Sequence, residues 1–421
     1  MTTALPQTPI HWSQQRRHAL DWLRVLAFGL LIVYHLGMAY VADWGWHIKS
    51  VYQSELLQYP MLWSNQWRMS LLFLISGAAV SYQLHRHQGW RFILASTRKL
   101  LLPLIVGSLV IVAPQSFVES KVAGAIPDMS YLEFWRHYLG FPFGFGEPLP
   151  PVYGRFSGSN VIWNHLWYLP YLFVYLVLIW MIYPAFGQSA VVNQARLMAD
   201  RLPLSLLYLL PTLVFFGIGE WLWERFPTTH KLVDDWYNHA RYFAVFLVGF
   251  GLVRSTRLWE SLSKLRLLSL ILALLSYTAI VFYVRGGELS FYWAALATIE
   301  DPLRGLIWSA NGWLWIMAII GYAQAWLNRP SPQIRYANQA VYCWYILHQT
   351  FIVLGVYWLR VYFPGSPIGS VLEPVAVATF TCLGCWLGYE VIKRIPGVRA
   401  ACGIFTQPTM TMTPNTRIVI E

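Results

Sequence analysis

Long apolar stretches, separated by short segments rich in Lys and Arg, dominate this chain and limit what it can fold into. A membrane-spanning helix needs about 20 mostly apolar residues. Stretches of that kind lie near 20–42, 67–84, 99–115, 161–183, 203–221, 240–254, 265–284, 304–327, 338–360 and 372–392, with 240–254 the shortest. The runs are continuous. Strands of a membrane β-barrel alternate apolar and polar residues over about ten positions, so helices are expected. The expectation is an all-α, polytopic transmembrane bundle of about ten helices, with residues 1–421 forming one domain. Only 12% of residues are charged, against about 25% in a soluble domain, so the chain cannot cover itself with a hydrated surface. Its 23 Trp and 25 Tyr suit the membrane–water interface, where an apolar ring and a polar tip are both satisfied.

Positive charge alternates from one connection to the next. The second carries Arg86, Arg91, Arg98 and Lys99, the sixth Arg254, Arg257, Lys264 and Arg266, and the eighth Arg329 and Arg335. The third sets Glu119, Asp128, Glu133 and Glu147 against Lys121, Arg136 and Arg155, and the fifth has Glu224, Asp234 and Asp235. Lys and Arg favour the cytoplasmic side, so both termini are expected there. The net charge of +11 therefore reads as membrane anchoring, with no nucleic acid as partner. The first eighteen residues are polar and contain Pro6 and Pro9, so the first helix is expected to insert without cleavage. The connection at about 116–160 is rich in Pro, Gly and aromatics and falls on the extracytoplasmic side, where it either covers a site or caps the bundle. No internal repeat is visible, which weighs against a transporter or flippase.

Ionisable residues inside a bilayer are costly, and each needs an explanation. Asp21 and Arg24 lie one turn apart in the first apolar stretch, and His35 follows eleven residues after Arg24. Eleven residues are close to three turns and rise about 16 Å, so Arg24 and His35 share a face at different depths. A histidine at that depth is either a satisfied core residue or a general base. Arg68 opens the second stretch and Ser76-Gly77 interrupts it, a pattern that allows close helix packing. Arg91, Arg98 and Lys99 precede Pro103, where they serve either as anchoring charges or as a phosphate clamp. Asn164, His165 and Trp167 open the fourth stretch, Tyr345 and His348 share a face of the ninth, and His47 follows the first. Cys382 and Cys385 form a C-x-x-C inside an apolar stretch with no second ligand pair, so packing rather than metal binding is expected. No phosphate loop, dinucleotide fingerprint, zinc motif or nucleophile elbow is present.

LDWLRVLAFGLLIVYH, then FLISG, then an Arg-rich segment ending RKLLLP, with NHLWYLPYLFVY and CWYILHQ further on, resemble the membrane-bound acyltransferase-3 family. The likeness covers nearly the whole chain. WGWHIKS and RMSLLFLISG are similar to a branch associated with succinylating periplasmic glucans. The resemblance implies a multi-pass enzyme of the bacterial inner membrane that transfers an acyl group from acyl-CoA (succinyl-CoA or acetyl-CoA) to a carbohydrate hydroxyl. It implies no permanently bound cofactor and leaves the oligomeric state open. It makes Arg24 and His35 the essential pair, with Asp21 beside them, and puts Arg98 on the donor side with Arg91, Lys99 and Ser76. Where the family often has a second Arg, this chain has Ala95. His47, Arg68, Asn164, His165, Trp167, Tyr345 and His348 are then expected around the acceptor or in the pocket.

Overall fold

A computed structural model describes residues 17–86, 89–140, 163–186, 201, 203–286, 297–363, 365 and 369–404. The described residues are helical, with one isolated bridge between Val41 and Ser54 and no strand among them. In chain order the helices are α1 (His18–Tyr40), α2 (Gln58–Asn65), α3 (Arg68–Arg86), α4 (Trp90–Val106), α5 (Ala113–Val122), α6 (Tyr131–Gly140) and α7 (Tyr168–Phe186). They continue with α8 (Leu206–Leu222), α9 (Trp236–Leu252), α10 (Thr256–Val284), α11 (Ala297–Trp326), α12 (Pro332–Tyr362) and α13 (Gly369–Ile392).

Among the described residues, seven helical runs are long and apolar enough to cross a membrane. They are α1, the run Trp90–Val122, α7 with its leading turn, α10, α11 from Asp301, α12 and α13. The shorter α8 is also apolar. α3 and α9 occupy the remaining two expected stretches, but polar residues such as Arg68, Gln83, Asn238 and Arg241 lower their apolar character. Each stretch read from the sequence thus holds a helix where described, with non-helical ends in several, and several helices run past it. α10 begins at Thr256 rather than near 265, because Ser255 accepts a hydrogen bond from the Leu258 N–H and starts the helix in a polar turn. α12 likewise begins at Pro332, with Ser331 capping Ile334. The connection expected from 116 is helical to Val122 and again over Tyr131–Gly140. Residues 141–162, with its Pro- and Gly-rich part, lie outside the described residues.

Small residues set the closest helix contacts. A Cβ on Gly77 of α3 would strike the Phe246 backbone, and one on Gly249 of α9 would strike the Leu74 backbone. α3 and α9 therefore pack main chain to main chain, as small residues permit in membranes. Fully buried Phe73 sits beside this seam with Tyr168, Tyr175 and Tyr242 around it, ring centroids 4.7–5.4 Å away. Outward faces are apolar instead: Leu209, Leu210 and Leu213 of α8, Leu274 and Leu275 of α10, and Leu383 and Leu387 of α13 are exposed. Water would penalise such patches and lipid does not. Cys382 points outward, while Cys385 is buried with Cys343 and Cys402, all as free thiols.

Candidate active site

His35 of α1 and His348 of α12 meet inside the bundle. Their rings stack at 5.0 Å and 11°, with His35 Nδ1 2.7 Å from His348 Nε2. His348 is fully buried, and its Nδ1 lies 2.8 Å from the Tyr345 carbonyl and 3.1 Å from that of Trp344. Carbonyls only accept, so Nδ1 of His348 carries the proton. In a neutral ring its Nε2 is then a lone pair, and burial disfavours a charged ring without a counter-ion. It follows that His35 donates from Nδ1 and presents Nε2 unprotonated. The protein thus fixes the tautomer a proton-accepting imidazole requires.

The head of α7 supports this pair. Asn164 adopts φ 41°, a left-handed conformation that Asn tolerates better than most residues. It leads a short 3₁₀ turn, Asn164–Trp167, into α7. The turn presents His165, whose Nε2 donates to the Tyr345 and Ile346 carbonyls at 3.1 Å each, while the Tyr345 hydroxyl donates back to the His165 carbonyl at 2.6 Å. The His165 ring stands edge-on to His348 at 5.1 Å, and its Nδ1 is buried without a partner.

A chain of polar side chains leads from the dyad toward the end of the bundle where α1 finishes. Gln349, next to His348, donates to His47 Nε2 at 2.9 Å and to Gln115 Oε1 at 3.0 Å. His47 Nδ1 lies 2.5 Å from Glu119 Oε2. Gln115 also accepts from Asn164 at 3.1 Å and donates to Thr350 at 2.7 Å. Thr350 in turn reaches the Ile111 carbonyl at 2.6 Å, at the end of the π turn Gly107–Ile111. Such a turn displaces carbonyls from the helical ladder and is common at functional sites. Lys49, in the connection after α1, donates to the carbonyls of Met38 and Val41 and so closes the end of α1, and burial lowers its pKa.

Arg68 lies nearby, 4% exposed, with its guanidinium carbon 3.4 Å from the centroid of Tyr34 and its Nε and Nη1 unpartnered. In the connection before α9, fully buried Asp235 accepts from Tyr171 at 2.6 Å, from Asn238 at 2.9 Å, and from the N–H groups of Thr229 and His230. This folds His230 onto Trp167, centroids 4.4 Å apart. Burial lowers the His230 pKa to about 4, with Arg68 pushing the same way and Asp235 opposing.

At the other end, where α1 begins, a cavity of about 750 Å³ opens between α1, α3, α4, α7 and α12. Its rim carries Arg24, Arg98, Lys99, Arg329 and Arg335 against one carboxylate, Asp21, which lies 3.7 Å from Arg24. Its walls are apolar, from Leu72, Ile75, Leu172 and Leu176, and it ends on Phe28 and Tyr168. Tyr345 stands behind these two rings, 5.3 Å from Phe28 and 6.3 Å from Tyr168, and next to His348. A basic mouth with an apolar shaft suits a ligand that is anionic at one end and carries an acyl chain at the other.

The sequence-derived residues divide accordingly. Arg24, Asp21, Arg98, Lys99 and Ser76 line the cavity, and Ser76 is 2.5 Å from the Tyr168 hydroxyl. Arg91 is exposed on the first turn of α4, outside that lining. His35, His165, Tyr345 and His348 cluster beyond the cavity floor, with Arg68, Trp167, Asn164 and His47 on the far side. Arg24 and His35 share a face, but a rise of about 16 Å separates them: Arg24 belongs to the rim and His35 to the dyad. Sequence reasoning missed Gln115, Glu119 and Thr350 as members of the buried chain. The usable signal was Glu119, an acid at the end of a run that is otherwise uncharged from Leu100.

A helical membrane protein with a buried, hydrogen-bonded histidine pair behind a basic, apolar-walled cavity has parts that acyl transfer can use. The sequence profile of the acyltransferase-3 family, described as an acyltransferase domain, matches residues 17–390. The chain belongs to that family and is an acyltransferase. No curated protein and no solved structure matches it.

Proposed function

We propose that the protein is an O-acyltransferase that takes an acyl group from acyl-CoA at the cytoplasmic face and moves it to a hydroxyl of an extracytoplasmic carbohydrate. The observation that carries this reading is the His35–His348 dyad directly beyond the floor of the basic cavity. In this reading ten helices span the bacterial inner membrane and both termini are cytoplasmic, which puts the five cations of the rim on the side where acyl-CoA is made. The similarity of WGWHIKS and RMSLLFLISG to glucan biosynthesis protein C supports a periplasmic glucan as acceptor and succinyl as acyl group, with acetyl the other choice.

The chemistry balances without a cofactor. His35 Nε2 takes the proton of the acceptor hydroxyl as its oxygen attacks the thioester carbonyl. The tetrahedral intermediate collapses, the C–S bond breaks, and the departing CoA thiolate takes the proton back from His35. A positioned base of this kind contributes about 10²–10⁴-fold. The deciding experiment is mass spectrometry of cell-envelope carbohydrate from cells with the wild type, with no protein, and with His35→Ala. The reading requires acyl groups in the first sample only, with the variant still inserted. Unchanged glycan mass in all three, with glycan moved across vesicles by the wild type, would replace acyl transfer with transport.

A further inference from the structure

Two helices deliver the dyad, and both start at the basic cavity. α1 carries Arg24 before His35, and α12 is preceded by Arg329 and carries Arg335 before His348. The start of α1 is tied to the segment that leads into α12 and to its second turn: the Trp22 indole donates to the Arg329 carbonyl at 3.2 Å, the Ala19 N–H donates to Asn328 Oδ1 at 3.2 Å, and Asn338 donates to the Asp21 carbonyl at 3.2 Å. Arg329 and Arg335 therefore open on the same cavity as Arg98 and Lys99 of α4. None of these four forms an ion pair among the described residues, and the one carboxylate of the lining, Asp21, stands beside Arg24. Four cations without counter-charge around one mouth repel each other, and a ligand with several negative charges removes that repulsion. On α4 the cavity lining is uncharged one turn before Arg98, where Ala95 lines it.

We propose that Arg329 and Arg335 form the second arm of a polyphosphate clamp, which closes with Arg98 and Lys99 on the phosphorylated nucleotide end of the donor. The proposal rests on the acyl-CoA reading above and adds which residues hold the donor and by which part. Guanidinium forks match phosphate oxygens in pairs, whereas a lone ammonium acts as a point charge. The arm lies on the helix that carries His348. Phosphate binding thus draws the starts of α1 and α12 together and steadies the stacking of His35 on His348 further along.

The test uses full-length protein in lipid nanodiscs, with coenzyme A and pantetheine as probes. The Arg329→Ala/Arg335→Ala variant should bind coenzyme A about ten- to a hundredfold more weakly, the range for losing hydrogen bonds to a charged group. Pantetheine, which lacks the nucleotide, should bind as it does to the wild type. KM for acyl-CoA should rise with kcat largely kept, Arg335→Lys should recover part of the loss, and Lys264→Ala on exposed α10 should change nothing. Unchanged coenzyme A affinity in the double variant, or an equal loss for pantetheine, would overturn the clamp while leaving acyl transfer intact. If the wild type binds no coenzyme A, the donor reading itself falls, and the clamp with it.

Discussion

His348→Phe isolates what the histidine pair contributes. The phenyl ring preserves the packing but removes the acceptor of the 2.7 Å bond from His35 Nδ1. A donor left unpaired at this depth costs about 1–3 kcal/mol. His35 then shifts toward the tautomer that carries its proton on Nε2 and cannot act as a base. At about 1.4 kcal/mol per factor of ten, the active tautomer declines by about five- to a hundredfold, and kcat should decline with it. KM for acyl-CoA should hold, because Phe28 and Tyr168 line the cavity whereas His35 and His348 do not. His348→Gln, whose amide oxygen can accept in place of Nε2, should lose less than His348→Phe. His35→Ala should lose the full contribution of the base, about 10²–10⁴-fold. The His35→Ala/His348→Phe double variant should be no worse than His35→Ala, since two residues acting as one unit are not additive. The assay is transfer of labelled acyl groups in membranes that contain their own acceptor. Full kcat in His348→Phe, or a double variant whose losses multiply, would refute the oriented-base argument.

Three further outcomes follow from other parts of the molecule. Glu119→Gln removes a charge from the 2.5 Å contact with buried His47 and should cost about 1.5–3 kcal/mol, read as a lower melting temperature in detergent. His230, with its pKa lowered to about 4 in the folded state against 6.5 for the free side chain, binds fewer protons folded than unfolded between these values. Its contribution to stability is therefore complete above about pH 6.5 and lost as pH falls toward 4; melting curves at pH 5 and 7.5 should show this, and His230→Phe should flatten the difference. Gly77→Val and Gly249→Val should each force α3 from α9 and abolish stable insertion, measured by size-exclusion profile. Gly29→Val, where no atom lies within 4 Å of the added carbon, should be tolerated.

The helices were legible because lipid leaves a one-dimensional record. Every residue of a spanning segment must be apolar or accounted for, so the stretches stand out without knowledge of their partners. Helix ends were less legible: the starts of α10 and α12 depend on Ser255 and Ser331 as caps, in turns too polar to register as membrane-spanning. His35 could be singled out because an imidazole in an apolar run demands a reason. Its partner could not be named, because the separation of 313 positions between His35 and His348 conceals a contact made only when α1 packs on α12. For Arg24 the helical rise already gave a depth different from that of His35, but not the cavity it would line, which needs α3, α4, α7 and α12 in place. Gln115 and Thr350 were invisible for a different reason: each is an ordinary uncharged polar residue, and only a completed hydrogen-bond circuit sets them apart.

The rings of Phe28, Tyr168 and Tyr345 raise a question that any two-sided membrane catalyst must answer. A protein that draws one reactant from each side of a bilayer comes close to being a pore, and an open shaft from rim to dyad would dissipate the gradients the membrane maintains. Three aromatics, with Tyr345 tilted 60° to Phe28 and edge-on at 82° to Tyr168, make a plug that an acyl chain can displace and ions cannot cross. On this view the size of Phe28 sets leakage as much as turnover, and trimming it to Ala would be felt first as proton conductance in energised cells.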